Sequence, residues 1–253
     1  METLNYFDCN CVIGMRKVLN PGSFYKVEDL VERMKYYGIQ KALVYHTMAR
    51  EYNPATGNGL LMDEIKSYPS LYPVWVVMPH HTGEFPEPDA LRIQLKKNNV
   101  RAVCMFPAAT DNNYSIAGWN CGGLFAMLER CSIPVMIEME QISWNDLYEL
   151  CSKYPELRVV LTKVNYRIDR NIYALLKEIK HLYIETIGYK VNNGIAEICE
   201  KFGAKHLVFG SGMPVFSGSA AVSMINYAHI SEKEKQMIAH ENIESLLGGV
   251  HYE

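Results

Sequence analysis

The sequence predicts an α/β protein: one closed barrel of eight parallel strands, each followed by a helix. Three observations predict it. Short β-rich runs recur eight times along the 253 residues. Helical patterns lie between them, and parallel strands need such crossovers. The first βα turn, "NCVIGMRK", holds a single glycine, so it lacks the glycine-rich phosphate loop of an open doubly wound sheet. An eightfold alternation in a chain of this length fits a (β/α)8 barrel, the TIM barrel, with residues 1–253 as one domain. The 49% hydrophobic content is enough for one large core.

The strands are read in order. They are "LNYFDCN" (4–10), "KALVYH" (41–46), "LYPVWVV" (71–77) and "VRAVCMF" (100–106). "IPVMIEM" (133–139), "RVVLTKV" (158–164), "HLYIETI" (181–187) and "KHLVFGS" (205–211) complete the set. Among the helices, Val27, Leu30, Val31 and Met34 recur at helical spacing, and Gly38 follows as a C-cap. Ser143 with Asp146 opens another helix, whose apolar face is Leu147, Leu150, Cys151 and Tyr154. Gly203 closes "GIAEICEKF", and Ser231 with Glu234 forms a capping box.

Composition excludes several classes. Net charge is −3, and no lysine- or arginine-rich run suggests a nucleic-acid groove or an anionic membrane surface. The first residues show no basic region followed by an apolar core, so no signal peptide is expected. The longest apolar run, "YPVWVVMP", is too short to cross a bilayer. Seven cysteines at irregular spacing, with no CxxC pair, read as reduced, buried thiols of a cytoplasmic protein. The 17 tyrosines leave aromatic surface for a homo-oligomer, without naming an interface.

In such barrels the site gathers at the C-terminal ends of the strands. That rule selects Asp8 and Asn10 from the first strand, His46 from the second, and His80 and His81 past the third. It adds Cys104 from the fourth, Glu138 and Glu140 from the fifth, Lys163 from the sixth, Glu185 from the seventh, and Ser211 and Gly212 after the eighth. Strict alternation would turn Asp8, Asn10 and Val12 inward and Cys9 and Cys11 outward, as apolar fillers.

The framing words of these strands resemble the amidohydrolase-related TIM-barrel hydrolases and decarboxylases. Members open with Asp-x-His-x-His and then a glycine; here the text is "DCNCVIG". "PxLxVVLxHxG" appears as "PELRVVLTKVN", and "NLYxDxS" as "HLYIETIG". "LxFGSDxP" appears as "LVFGSGMP", and "IxxxNAxxLLG" as "IAHENIESLLG". The resemblance runs over the whole chain in order. It implies a metal at the barrel mouth, held by the histidines and by an aspartate that activates water. At those positions this chain has Asn10, Val12, Lys163 and Gly212. Valine and glycine offer no ligand atom, asparagine is a weak donor, and a lysine ammonium repels a divalent cation. A catalytic zinc needs about three N, S or O ligands. The expectation is therefore no metal ligand and no cofactor, with Lys163 as the cation that offsets Asp8, Glu138 and Glu185.

Lys163 admits a structural ion pair, electrostatic stabilisation of an anion, or Schiff-base chemistry. Glu138 admits a general base or a partner to Lys163. Asp8 and His46 complete the catalytic set, although His46 also suits a hydrogen-bonded rim position. The substrate-binding set is Asn10, His80, Arg50, Asn58, Trp119, Glu185 and Ser211. Arg50 and Asn58 sit in the long "HTMAREYNPATGNGL" segment, and Trp119 in "GWNCGG" is placed to cover the pocket. Ser211 in "FGSG" is placed to offer backbone N–H groups to an anion.

The functional expectation is a hydrolase or lyase of a small carboxylate-bearing molecule, working without the family metal. The alternatives are an inactive binding or scaffold barrel, and a metal-dependent hydrolase with relocated ligands such as His46, His80, Glu138 and Asp8. The expected partner is a small molecule, not nucleic acid or membrane.

Overall fold

Eight parallel strands form in the predicted order and pair only with their sequence neighbours, β1 to β8. They are β1 (Tyr6–Ile13), β2 (Ile39–His46), β3 (Leu71–Val76), β4 (Ala102–Met105), β5 (Val135–Glu138), β6 (Val159–Thr162), β7 (Leu182–Glu185) and β8 (Leu207–Val208). The structure is a computed structural model and describes residues 4–18 and 20–253. The chain closes into a (β/α)8 barrel. At the seam, the Cys9 N–H donates to Phe209 O and the Val12 N–H to Met213 O, each at 2.9 Å.

Helices fill the crossovers. They are α1 (Val27–Tyr37), α2 (Thr47–Glu51), α3 (Pro54–Ile65), α4 (Pro88–Lys97), α5 (Gly118–Arg130), α6 (Trp144–Lys153), α7 (Asp169–Glu178), α8 (Gly194–Phe202), α9 (Gly218–Asn226), α10 (Glu232–Gln236) and α11 (Asn242–Gly248). The caps match their residues. Gly38 takes φ 72° after α1, and Ser143 accepts the Asp146 N–H before α6. Ser231 and Glu234 make the capping box of α10. Among the described residues no helix is long and apolar enough to cross a membrane.

Two apolar layers result. Outward strand residues such as Val44, Val103, Ile137 and Leu161 pack against the helices. Inward residues such as Phe7, Leu43, Val74, Met136 and Val160 fill the barrel. The alternation expected for β1 is corrected here. Its register against β2 shifts between Asp8 and Cys11, as at a bulge. Phe7 and Cys9 share the inner cluster, and after the shift Cys11 and Ile13 belong to the outer one. Val12 returns to the inner side. All seven cysteines are buried and free.

Candidate functional site

β5 and β6 bring the centre together. Glu138 ends β5, and a 3-10 turn (Met139–Gln141) follows it. Lys163 directly follows β6 with a left-handed backbone, φ 49°, uncommon for a residue with a side chain. That turn aims its N–H at Glu185 Oε2, 2.7 Å away, and its Nζ at Glu138 Oε1. Arg50, on α2, donates Nη1 to the same Glu138 oxygen at 2.8 Å. Its Nε and Nη2 fork onto Asp111 at 2.8 and 3.2 Å. The guanidinium lies 4.3 Å from the centre of the Phe106 ring, which in turn packs on Tyr45. Gln141 donates to Asp111 Oδ2 at 2.7 Å. The result is a cage of two cations and two carboxylates across the C-terminal ends of the strands.

Glu138 is nearly shut in, with its side chain 9% exposed, whereas that of Lys163 is 25% exposed. Lys163 opens onto a cleft of about 240 Å³, lined also by Arg16, Lys17, Glu51 and the Arg50–Asp111 pair. Tyr45 borders both this cleft and a narrow void inside the barrel. A larger surface groove, about 740 Å³, lies beside the start of α8, with Lys190, Tyr227 and His229 among its walls. It contains none of the residues predicted for the site.

A second polar cluster is sealed deeper. Glu185 is fully buried and accepts Asn10 Nδ2 at 3.0 Å as well as the Lys163 N–H. Burial pushes its carboxyl up to about 7. Gly210 allows this arrangement, since a Cβ there would stand 2.5 Å from Glu185 Oε1. Asp8 is equally buried. Its Oδ1 accepts the N–H groups of Asn10 and Ser211 at 3.0 and 2.9 Å. Burial raises its carboxyl above the ordinary value, against those hydrogen bonds. Its Oδ2 meets no partner among the described residues.

The structure thus brings Lys163, Glu138 and Arg50 together at the mouth, with Asn10 and Glu185 joined to them through the Lys163 backbone. It separates several others from that centre. His46 is expected to be catalytic, but it is Tyr45 that turns toward the barrel interior. His46 faces α3: its Nδ1 accepts the Met48 N–H at 3.1 Å as the cap of α2, and Nε2 lies 3.4 Å from Glu64. Burial holds its imidazole below the ordinary value despite Glu64. Asn58 clamps β3, donating to Val76 O and accepting Val76 N–H, both at 2.9 Å. Both ends of its amide are thus engaged by the backbone of β3. Trp119 stands 79% exposed on the first turn of α5 and is not among the residues that line the cleft beside Lys163. His80 stacks on His81, with ring centres 4.3 Å apart, in the turn after β3. Ser211 does offer a backbone N–H to an anion, but the anion is the Asp8 carboxylate of the protein itself. Its hydroxyl accepts the Met213 N–H at 3.1 Å.

Sequence reasoning missed Asp111, Gln141, Tyr45 and Arg16. Asp111 lies in the loop after β4, so the rule that loops at the strands' C-terminal ends build the site pointed to it. Its role depends on Arg50 reaching across from α2, which no local pattern announces.

The fold and this mouth define a class: a (β/α)8 barrel with a charged centre at the strands' C-terminal ends. A family model described as Amidohydrolase matches residues 54–249, and the chain belongs to that family. β1 lies before the matched span. No curated protein matches the sequence. Among solved structures, an uncharacterized TIM-barrel protein from Bordetella bronchiseptica aligns with TM-score 0.75 and 19% identity, over 97% of this chain and 99% of that one. A 5-carboxyvanillate decarboxylase from Novosphingobium aromaticivorans, with bound manganese and 3-methoxy-4-hydroxy-5-nitrobenzoic acid, aligns with TM-score 0.74 and 12% identity, over 97% of both chains. A dihydroxybenzoic acid decarboxylase from Polaromonas sp., with bound manganese and 2-nitroresorcinol, aligns with TM-score 0.70 and 12% identity, again over 97% of both.

These two neighbours each hold manganese in a barrel of this shape, which overturns the expectation of no cofactor. Among the described residues no three His, Cys, Asp or Glu side chains converge as a metal site. Glu138 Oε1 is shared by two cations, and both oxygens of Glu185 accept N–H donors. Gly212 has φ 64°, and a Cβ there would stand 2.7 Å from the Phe216 ring. In this arrangement Glu138 and Glu185 are committed to protein donors, and no step below runs through a metal.

Proposed function

We propose that the protein is a hydrolase or lyase of a small carboxylate-bearing molecule, which enters the cleft above Lys163 and Arg50. One observation carries this reading. A small cleft at the C-terminal ends of the strands is lined by Arg16, Lys17, Arg50 and Lys163, against the carboxylates Glu51 and Asp111. Excess positive charge on a concave wall raises the local concentration of anions. The decarboxylase neighbours are named for aromatic acids, which agrees with it.

The cage residues have distinct tasks in this reading. Asp111 and Phe106 fix the plane of Arg50, so its remaining N–H groups are oriented before a ligand arrives. Lys163, also fixed by Glu138, places positive charge where negative charge develops on the bound molecule. Glu138 keeps both cations in position. A second reading, a protein that binds without turnover, is favoured by the same pairing: Glu138 already serves two cations and is not a free base.

The test is a panel of small aromatic and aliphatic carboxylates, with and without added manganese. Binding is followed by calorimetry and products by mass spectrometry. Binding with product formation supports the enzyme, and binding alone supports the second reading. If no carboxylate binds under either condition, the cleft does not serve this class.

A further inference from the structure

The charges of the cleft are unevenly matched. Arg50 and Lys163 are met by Asp111 and Glu138, so the inner wall carries paired charge. An anion arriving there competes with carboxylates already in place. The loop after β1 adds Arg16 and Lys17 to the lining. Glu51 also lies there, but its Oε2 accepts the Lys17 backbone N–H at 2.7 Å and so anchors the loop. Among the described residues, the ion pairs of the cleft involve Arg50 and Lys163 alone. Arg16 lines the cleft, and among the described residues its Nη1 meets no acceptor. An enclosed, charged donor without a partner is costly, and such groups in a native fold call for an explanation. An acceptor brought into the cleft that Arg16 lines, met by the guanidinium as it turns toward it, is one.

We infer that Arg16 is the specificity-determining residue that recognises the carboxylate of the ligand, leaving the Lys163–Glu138 pair to face its uncharged end. The inference rests on the proposed function and narrows its substrate class. The ligand is a small monocarboxylate with a polar, uncharged group at the far end. A dicarboxylate would set its second charge against the paired inner wall and gain little. Arg16 offers a planar fork suited to a carboxylate. It stands on a loop outside the barrel, so its replacement spares the core.

The experiment is calorimetric titration with two matched pairs, benzoate against benzamide and butyrate against butyramide, on the wild type, Arg16→Gln and Lys163→Met. The wild type is expected to bind each acid at least about tenfold tighter than its amide, the worth of one charge-assisted hydrogen bond. Arg16→Gln is expected to erase that preference while leaving amide binding unchanged and the thermal midpoint no lower than that of the wild type. Lys163→Met is expected to keep the preference. If Arg16→Gln retains the preference and Lys163→Met loses it, the inference fails and the proposed function stands, with the carboxylate on the inner wall. If the wild type shows no preference for acids, both fail together.

Discussion

At the scale of single residues, the mouth turns on Lys163 and Glu185, which one short turn links. The left-handed Lys163 sends its backbone to one carboxylate and its side chain to another. Lys163→Met keeps much of the aliphatic stem and removes the charge. Turnover of any substrate found in the panel is expected to fall about hundredfold, the usual worth of a preorganised electrostatic group. An unchanged rate and affinity would remove Lys163 from the mechanism. Glu185 allows a separate test by pH. Burial raises its folded carboxyl from the ordinary 4.5 to about 7. Between these values the folded state holds a proton that the unfolded chain has released. The contribution is therefore fully present below about pH 4.5 and is lost as pH rises toward 7, an amount of about 3 kcal/mol at 1.36 kcal/mol per unit. Urea unfolding across pH 4.5–8 is expected to show that decline in the wild type and a shallower one in Glu185→Gln, where the buried Asp8 carboxyl still titrates. Parallel slopes in the two proteins would mean that Glu185 is not the titrating group.

Elements decide which of these residues meet, and here the legibility of the sequence divides. Strand ends and helix caps are local, so period and capping residues placed them. The candidates Glu138, Lys163 and Glu185 follow from strand ends alone. What alternation could not supply is the register shift in β1, which lets Cys9 and Val12, three residues apart, both face inward. Nor could it supply the inward turn of Tyr45 in place of His46. A bulge is fixed by pairing with the neighbouring strand, not by the residues of β1 themselves. Asn58 shows the same limit: a polar residue in a long loop reads as a ligand contact, yet it lies on α3 and serves the edge of β3. Asn58→Ala would leave the buried N–H and C=O of Val76 without those partners. The expected cost is about 2–4 kcal/mol in urea unfolding, with ligand affinity unchanged. A substrate-binding role predicts the reverse, weak binding in a protein of normal stability.

Across the whole molecule, the barrel is held by one continuous chain of neighbours, and its last link is its slightest. β8 has two residues in the ladder, and the seam to β1 rests on the Cys9–Phe209 and Val12–Met213 backbone bonds. The carboxylate of Asp8, bound to the Ser211 N–H, is buried in that same seam. The inner core takes side chains from both halves of the chain, from Phe7 and Leu43 to Val160 and Val208. A half-barrel would expose this inner layer and the open strand edges on either side of the break. We therefore expect the 253 residues to unfold as one unit, consistent with a single domain. Far-ultraviolet dichroism reports all helices, while tryptophan fluorescence reports chiefly Trp75 in β3, buried in the outer layer. The two signals are expected to share one urea midpoint. Ser211→Pro, which removes the N–H given to Asp8, is expected to lower both midpoints together. Two separated midpoints, with only one of them moved by Ser211→Pro, would show instead that the seam half opens on its own and that the barrel is two cooperative units.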